Sequence, residues 1–251
     1  MSDVHPPSGN LLQDRTILIT GAGDGIGRAA ALASAAQGAR VILLGRTQEK
    51  LEAVYDAIDA LPDAPEAVIH PLDLESATED HYRELADAIG DQFGRLDGLL
   101  HNASLLGNLT PLQYFPADRW ASIMQVNVNA AFQLTRALLP ILNLADDARI
   151  LFTSSSVGRK GRAYWGAYSV SKFATEGLMQ VLADELADTS NIRVNSINPG
   201  ATRTAMRAAA YPAEDPGSLP TPEDLMPAYL YLLGPESRQL HGQALNIRDL
   251  L

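Results

Sequence analysis

The stretch that decides the fold is residues 16–27, with the sequence TILITGAGDGIG. Its first five residues are apolar or β-branched, which predicts a short buried strand. Glycines then recur up to Gly27, and an alanine-rich helix begins among them at Ile26 and ends at Gln37, before Gly38. A glycine loop between a strand and a helix lets backbone N–H groups and the positive end of the helix dipole approach an anion. The stretch therefore predicts a loop that binds the pyrophosphate of a dinucleotide.

Outward from this loop, apolar runs of strand length alternate with segments of helical spacing. Strands are predicted over residues 16–20, 41–44, 67–69, 99–101, 149–153, 192–197 and 244–247. Helices are predicted over residues 26–37, 78–93, 116–139 and 168–188, with two more opening after Thr47 and at Thr221. This alternation predicts an α/β fold, a doubly wound, Rossmann-like parallel sheet of about seven strands with helices on both faces. In such a sheet the ligand crevice lies beyond the carboxyl ends of the strands.

The composition fits one α/β domain. The chain has 251 residues, of which 46% are hydrophobic and 20% charged, and this length is compatible with a single core. Residues 1–14 are predicted to form a polar, proline-containing arm, and residues 15–251 a single dinucleotide-binding catalytic domain. The absence of cysteine excludes a disulfide framework, a thiolate metal site and a catalytic thiol. A net charge of −11 argues against a nucleic-acid or anionic-membrane partner, because both require a basic surface.

The sequence predicts no targeting segment, membrane span or metal site. The first seven residues lack a cationic start followed by an apolar run, so no signal peptide is expected. The longest uncharged stretch, residues 98–117, contains polar residues and prolines and is not expected to span a membrane. We therefore expect a cytoplasmic location. The five histidines lack metal-ligand spacing and no G-x-S-x-G elbow is present, so neither a metal site nor a serine hydrolase is expected.

The end of the second predicted strand indicates which dinucleotide binds. Folds that bind NAD usually place an acid there, where it bonds the ribose 2′-hydroxyl. Here residues 44–47 read LGRT, with no acid and with Arg46 present. A guanidinium pairs well with a 2′-phosphate, so the sequence favours NADP over NAD. Asp24 acts against this choice because it brings a negative charge into the phosphate loop, and Arg46 also fits a solvated loop residue.

Tyr168 and Lys172 are the main candidates for catalysis. They lie four residues apart at the start of a predicted helix and so share one face. An ammonium close to a phenol lowers the pKa of the phenol, which lets tyrosine act as a general acid or base near neutral pH. The serine run 154–156 ends the preceding strand, where a hydroxyl can hydrogen-bond a substrate carbonyl. Such a serine cluster is also common in loops without a catalytic role.

These motifs together resemble the short-chain dehydrogenase/reductase family, over nearly the whole span 16–247. The family's T-G-x-x-x-G-x-G loop matches residues 20–27, and its Y-x-x-x-K motif matches Tyr168 and Lys172. A bacterial subgroup of uncharacterised oxidoreductases within the family is similar to this chain over residues 41–46, 154–161 and 198–206.

The resemblance implies two further catalytic residues. The family's catalytic serine lies thirteen residues before the tyrosine, which selects Ser155 from the serine run. Its catalytic asparagine sits in a V-N pattern, which matches Asn127, with Asn129 as the alternative.

The resemblance also implies which residues bind the cofactor. The family's N-N-A-G segment corresponds to residues 101–104, which read HNAS and so differ from it at both ends. Asp73 corresponds to the acid that contacts the adenine, and Thr204 to the partner of the nicotinamide carboxamide. The complete implied set is Gly21, Gly23, Asp24, Gly25, Ile26, Gly27, Arg46, Asp73, Leu74, Asn102, Ala103, Tyr168, Lys172, Pro199, Gly200 and Thr204.

The activity that follows is NADP(H)-dependent hydride transfer between the nicotinamide and a small carbonyl or secondary-alcohol substrate. Tyr168 is the expected general acid or base, Ser155 a hydrogen-bond donor to the substrate, and Lys172 the residue that holds the ribose and keeps the pKa of Tyr168 low. Asn127 is expected to position a water that links Lys172 to solvent. A non-enzymatic NADP(H)-binding regulatory or sensor protein is the alternative, since a fold does not determine a function.

Further expectations concern the surroundings of the site. Five basic residues suggest an anionic substrate, although they also fit solvated loops or contacts to cofactor phosphates: Arg159, Lys160, Arg162, Arg203 and Arg207. Trp165 either lines the pocket or packs a loop. Residues 203–220 are the expected place of a lid. The helices over 116–139 and 168–188 carry more apolar residues than one buried face needs. Together with the family resemblance, this predicts a homodimer or homotetramer.

Overall fold

The computed structural model describes residues 10–251 and shows a seven-stranded sheet with helices around it. The strands are β1 (Thr16–Thr20), β2 (Arg40–Gly45), β3 (Val68–Pro71), β4 (Gly98–His101), β5 (Ala148–Thr153), β6 (Ile192–Asn198) and β7 (Ala244–Asn246). The α-helices in this range are α1 (Gly25–Ala36), α2 (Gln48–Asp59), α3 (Glu79–Phe93), α4 (Ala117–Met124), α5 (Ala130–Leu142), α6 (Gly166–Leu186), α7 (Ala205–Ala210) and α8 (Met226–Leu233).

All neighbouring strands pair in parallel, in the order β3-β2-β1-β4-β5-β6-β7. The strand order reverses between β1 and β4, and the carboxyl ends of these two strands form the switch point where open α/β sheets bind ligands. The predicted doubly wound parallel sheet of seven strands is confirmed.

Two apolar cores lie on the two faces of the sheet. Along β1, Ile17 and Ile19 pack into the core that α1, α2 and α8 cover. Leu18 points the other way, into the core under α3, α5 and α6. This alternation follows from the two-residue period of a strand, and burial on both faces explains why β1 is apolar throughout.

Two predicted segments differ in detail. The helix expected over 116–139 extends from Ala117 to Leu142 but contains a π-helical turn over Gln125–Asn129. Such turns often mark functional sites, and this one contains Asn127. The expected polar arm, residues 1–14, lies mostly outside the described residues; in its described part, Leu12 is fully buried in the core beside α1.

Within residues 10–251, no helix combines the length and the apolar character needed to cross a membrane.

Candidate active site

A cleft of about 530 Å³ opens beyond the carboxyl ends of the strands. Nearly all the predicted site residues line it: Gly21, Gly23, Asp24, Gly25, Ile26, Arg46, Asp73, Leu74, Asn102, Ala103, Ser155, Tyr168, Lys172, Pro199, Gly200 and Thr204. Gly27 and Asn127 are absent from its lining. In the described part of the chain, no group of three His, Asp or Glu side chains could hold a metal ion.

The glycine loop is held in a tight turn over the start of α1. Gly21 has a φ of +67°, a conformation that residues with a side chain rarely adopt. Asp24 caps α1 by accepting a hydrogen bond from the Gly25 N–H at 2.8 Å. Gly27 lies behind the loop, where a Cβ atom would be 2.2 Å from the Gly21 carbonyl oxygen. Gly27 therefore permits close packing under the loop, while its predicted contact with the cofactor stays a prediction.

The negative charge of Asp24 is balanced within the protein. Its Oδ2 atom lies 2.5 Å from Nζ of Lys50, in the first turn of α2, and this hydrogen bond lowers the pKa of Asp24. Lys50 and Arg46 both line the cleft. Because Lys50 offsets its charge, Asp24 repels the 2′-phosphate of NADP less than the sequence alone suggested. Lys50 was not among the predicted site residues. Its position four residues after Arg46, in a chain with only three lysines, could have indicated a role in the site.

Thr20 joins the glycine loop to the segment after β4. Its Oγ1 atom accepts hydrogen bonds from the backbone N–H groups of Asn102 and Ala103, both at 3.0 Å, and donates to the Leu100 carbonyl at 3.3 Å. The Asn102 side chain in turn donates to the Thr20 carbonyl oxygen at 3.4 Å. These bonds hold residues 102–103 beside Gly21. Thr20 is a second residue that the sequence analysis did not assign to the site.

His101, the first departure from the family pattern, faces away from the cleft. Its side chain is buried, its Nε2 atom lies 2.7 Å from Oγ1 of Thr135, and its ring stacks on Phe152 at 4.7 Å between centroids. Burial, assisted by the charge of Lys172, lowers the pKa of His101 to about 3, so the ring is neutral. Ser104, the second departure, lines the cleft, and its buried hydroxyl has no partner among the described residues.

The three predicted catalytic residues of the β5–α6 region meet at the cleft. Ser155 begins the turn after β5, and its Oγ atom accepts a hydrogen bond from the Val157 N–H at 3.4 Å. Tyr168 and Lys172 lie on the first two turns of α6, and Nζ of Lys172 is 5.6 Å from the centroid of the Tyr168 ring. The same Nζ atom donates to the Thr153 carbonyl at 2.8 Å. Serine, phenol and ammonium thus share one end of the cleft.

Burial governs how Tyr168 and Lys172 ionise. It raises the pKa of Tyr168 to about 12, with the Ser155 hydroxyl opposing the rise. It lowers the pKa of Lys172 to about 8, with Glu176 opposing the fall. The expected lowering of the Tyr168 pKa by Lys172 is therefore wrong for the site as it stands: burial dominates the pKa of the phenol, and the ammonium hydrogen-bonds the Thr153 carbonyl.

Asn127 hydrogen-bonds the backbone of the segment after β4. Its Oδ1 atom accepts from the Leu105 N–H at 2.7 Å, and its Nδ2 atom donates to the Leu105 carbonyl at 3.0 Å and to Oγ of Ser171 at 2.9 Å. A cavity of about 10 Å³, roughly the space for one water, is lined by Asn127 and Lys172 behind the cleft. The alternative, Asn129, instead donates to the side chain of Gln125.

An aromatic wall borders the catalytic end of the cleft. Trp165 lines the cleft, with its ring centroid 5.8 Å from that of Tyr168 and 6.0 Å from that of Tyr211. Arg162 donates to the Tyr211 hydroxyl at 2.5 Å. These contacts connect the end of α7 to the loop before α6. Of the two roles expected for Trp165, lining the pocket or packing a loop, the structure shows the first.

Most of the basic residues expected to attract an anion have partners inside the protein. Arg207 makes a bidentate ion pair with Glu214, at 2.6 and 2.7 Å. Arg203 donates to carbonyl oxygens within residues 216–219. Arg159 pairs with a buried glutamate of α6. These arginines stabilise the loops around the cleft, which weakens the case for an anionic substrate.

Comparison with known proteins identifies the family. A family model described as short chain dehydrogenase matches residues 15–215, which include the glycine loop and the Tyr168–Lys172 pair. The chain belongs to the short-chain dehydrogenase family. A protein of Escherichia coli strain K12, named as the uncharacterized oxidoreductase YciK, is 54% identical over 239 residues, which cover 95% of this chain and 93% of that protein.

Two similar solved structures contain a nicotinamide cofactor. One, from Shigella flexneri 2a strain 301, is complexed with NADP; it has 52% sequence identity and a TM-score of 0.93, and the match covers 96% of this chain and all of the other. The second, from Escherichia coli CFT073, is complexed with NADPH; it has 53% identity and a TM-score of 0.93 over 96% of this chain and all of the other.

Proposed function

We propose that the protein is an NADP(H)-dependent oxidoreductase that transfers hydride between the nicotinamide and a carbonyl or secondary-alcohol substrate. The observation that carries this proposal is that Ser155, Tyr168 and Lys172 line the same cleft as the glycine loop. A regulatory protein that only binds a dinucleotide has no need of this catalytic set, so the cleft supports the enzyme over the sensor alternative.

The cleft has the features that a phosphorylated dinucleotide requires. Gly21, Gly23 and Gly25 line the cleft at the start of α1, where backbone N–H groups and the helix dipole favour a pyrophosphate. Arg46 supplies a cation at the end of β2, where a 2′-phosphate would bind, while Lys50 beside it offsets the charge of Asp24. The complexes of the two similar structures with NADP and NADPH support the same preference. The implied adenine contact at Asp73 and Leu74 and the implied carboxamide contact at Thr204 belong to this proposal.

The side chains of the cleft support acid catalysis of carbonyl reduction. The cofactor, when bound, supplies or accepts the hydride. The Ser155 hydroxyl donates a hydrogen bond to the substrate carbonyl oxygen, and Tyr168 donates a proton to that oxygen as it gains negative charge. A phenol with a pKa near 12 is protonated at neutral pH and so is ready to donate. Lys172 provides the positive charge beside it, and Asn127 holds the backbone of Leu105 at the border of the cleft.

The substrate end of the cleft favours an uncharged compound. Its lining includes Trp165, Met206 and Ala210, which offer apolar contact, while Arg207 is neutralised by Glu214. An apolar wall with paired arginines gives little binding energy for a free carboxylate, which would have to be desolvated without a cation to pair with.

We also propose a homodimer or homotetramer, located in the cytoplasm. Large apolar side chains are exposed on both helices: Phe132 in the first turn of α5 at 47%, and Phe173 and Val181 on α6 at 46% and 57%. Association of these helices would bury this surface. Light scattering of the purified protein, compared with a Phe173→Glu variant, tests the assembly; a monomer in the wild type would contradict it.

Oxidation of NADPH and of NADH, followed at 340 nm against a panel of neutral ketones, aldehydes, quinones and β-keto esters, tests the activity. We expect turnover with NADPH and slower turnover with NADH. NADPH binding without turnover of any member of the panel would instead favour the sensor alternative.

A further inference from the structure

A buried carboxylate lies beneath the proposed catalytic residues and has no part in the reaction described above. Glu176 is one helical turn beyond Lys172 on α6 and is only 5% exposed. Its Oε1 atom accepts hydrogen bonds from Oγ of Ser154 at 2.5 Å and from Nε of Arg159 at 3.2 Å. Its Oε2 atom accepts from Oγ of Ser196 at 2.7 Å. Both oxygens are therefore occupied, by two donors from the turn after β5 and one from β6.

We propose that Glu176 is a positioning residue of the active site. Its carboxylate anchors Ser154, the backbone neighbour of Ser155, and supplies the negative charge that balances the buried ammonium of Lys172. This inference rests on the proposed function, since it assigns Glu176 a role through Ser155 and Lys172.

The anchoring role follows from the bonds at the end of β5. The Ser154 N–H donates to the Ile197 carbonyl at 2.8 Å, and its side chain is tied to Glu176. Ser154 is thereby held on both its backbone and its side chain, and the position of Ser155 is set by the residue before it. A buried carboxylate that already accepts three hydrogen bonds has no freedom to move away without leaving donors unpaired.

Arg159 connects Glu176 to the last strand, β7. In addition to Glu176, its guanidinium donates to Oδ1 of Asn246 at 2.7 Å and to the Leu245 carbonyl at 2.8 Å. Glu176 therefore also fixes the cation that joins the turn after β5 to β7.

The charge-balancing role follows from placement: Glu176 lies one helical turn from Lys172 on α6, and both side chains are buried. Near Lys172 on α6 lies Tyr168, and from β4 there is His101, which is neutral because its pKa is about 3. Tyr168 is also neutral, because its pKa is about 12. The cation of Arg159 lies against Glu176 and the carboxyl end of β7. Glu176 is the anion that raises the pKa of Lys172 against the effect of burial.

The small number of lysines makes this role measurable without any substrate. The chain contains Lys50, Lys160 and Lys172, so protein labelled with ¹³C in lysine gives three Cε signals, and a Lys172→Met variant assigns the third. We expect the wild-type Lys172 signal to titrate near pH 8. In Glu176→Gln, which keeps the shape of the side chain, the midpoint falls by about one pH unit. Glu176→Asp, which keeps the charge, retains a midpoint closer to the wild type.

The matched control is Glu185→Gln, which removes an exposed carboxylate of the same helix and leaves the Lys172 midpoint unchanged. A Glu176→Gln protein that folds and titrates Lys172 at the wild-type midpoint overturns the charge-balancing role. If Glu176→Gln does not fold, Glu176→Ala decides, with Ser196→Ala as the control for a lost hydrogen bond: a midpoint lowered in Glu176→Ala but not in Ser196→Ala supports the role, and any other result overturns it. Failure of the proposed function is seen separately, as a wild-type protein that does not oxidise NADPH with any carbonyl compound.

Discussion

Replacement of Gly27 by alanine is expected to damage both the stability of the protein and its binding of a dinucleotide. A Cβ atom at this position would lie 2.2 Å from the Gly21 carbonyl oxygen and 2.8 Å from the Gly21 carbonyl carbon. Both are backbone atoms of the glycine loop, so no side-chain rotation relieves the overlap. Overpacking of this kind costs about 1–3 kcal/mol, and the immobile neighbour places Gly27→Ala at about 3 kcal/mol.

For a protein of this size that cost corresponds to a fall in Tm of roughly 6–12 °C. Because the displaced atoms form the loop that holds the pyrophosphate, we also expect at least a tenfold increase in the Kd for NADPH. Thermal unfolding and quenching of intrinsic fluorescence by NADPH measure the two effects.

The matched control is Gly90→Ala in α3. A Cβ atom there would meet only Cγ2 of Ile141, at the ordinary contact distance of 3.5 Å. Removing a glycine from a helix interior stabilises by about 0.5–1 kcal/mol, so Gly90→Ala raises Tm and leaves NADPH binding unchanged. The reasoning is refuted if Gly27→Ala has the wild-type Tm and the wild-type Kd, or if the two variants change Tm in the same direction.

Two more predictions follow from the charges of the site. Arg46→Ala removes a charge-assisted contact to a 2′-phosphate, worth about 1.5–3 kcal/mol, so the Kd for NADPH rises roughly 10- to 100-fold while that for NADH stays nearly constant; equal effects on the two cofactors in fluorescence titrations would contradict it. Lys172→Met removes a buried ammonium whose pKa falls from 10.5 to about 8 on folding. A lowered pKa of a base destabilises the folded state below pH 8 and not above pH 10.5, so the variant gains about 3 kcal/mol at pH 7 and loses this advantage between pH 8 and 10.5. Denaturant unfolding at a series of pH values measures it, and an advantage that grows with pH would be inconsistent with a buried ammonium.

The fold could be predicted because each strand carries a strong local signal. β1 is buried on both faces, so it is a continuous apolar run, and the helices between strands have the spacing of amphipathic segments. The order of the strands and the switch point beside β1 were not predicted, because they depend on which distant strands pair. The π-helical turn over Gln125–Asn129 was not predicted; Asn127 within it bonds Leu105, 22 residues away, and no local spacing reports such a contact.

Site residues could be predicted where a motif lies within a few consecutive residues. They could not be predicted where the geometry depends on contacts between residues far apart in the sequence. The glycine loop and the Tyr168–Lys172 pair are each contained in a few consecutive residues. The ion pair of Asp24 with Lys50 spans 26 residues, and the bonds from Thr20 to Asn102 span more than 80. No periodicity or spacing in the sequence reports such pairings.

The basic residues around the cleft show the same limit most clearly. The sequence places Arg203 and Arg207 near the catalytic segments but gives no information on whether their charges are free. In the structure Arg207 is paired with Glu214 and Arg203 is bonded to loop carbonyls. The charge of a residue is read from the sequence, whereas the availability of that charge depends on the fold.

The central claim is that Tyr168 is the general acid or base of a reductase, and one comparison tests it most directly. Wild-type protein and Tyr168→Phe are assayed for NADPH oxidation at 340 nm with the carbonyl compound that the wild type reduces fastest, and for NADPH binding by fluorescence. We expect the phenylalanine variant to bind NADPH with a similar Kd and to lose nearly all turnover, because only the hydroxyl that delivers the proton is removed. A variant that binds NADPH and retains near wild-type turnover would contradict it.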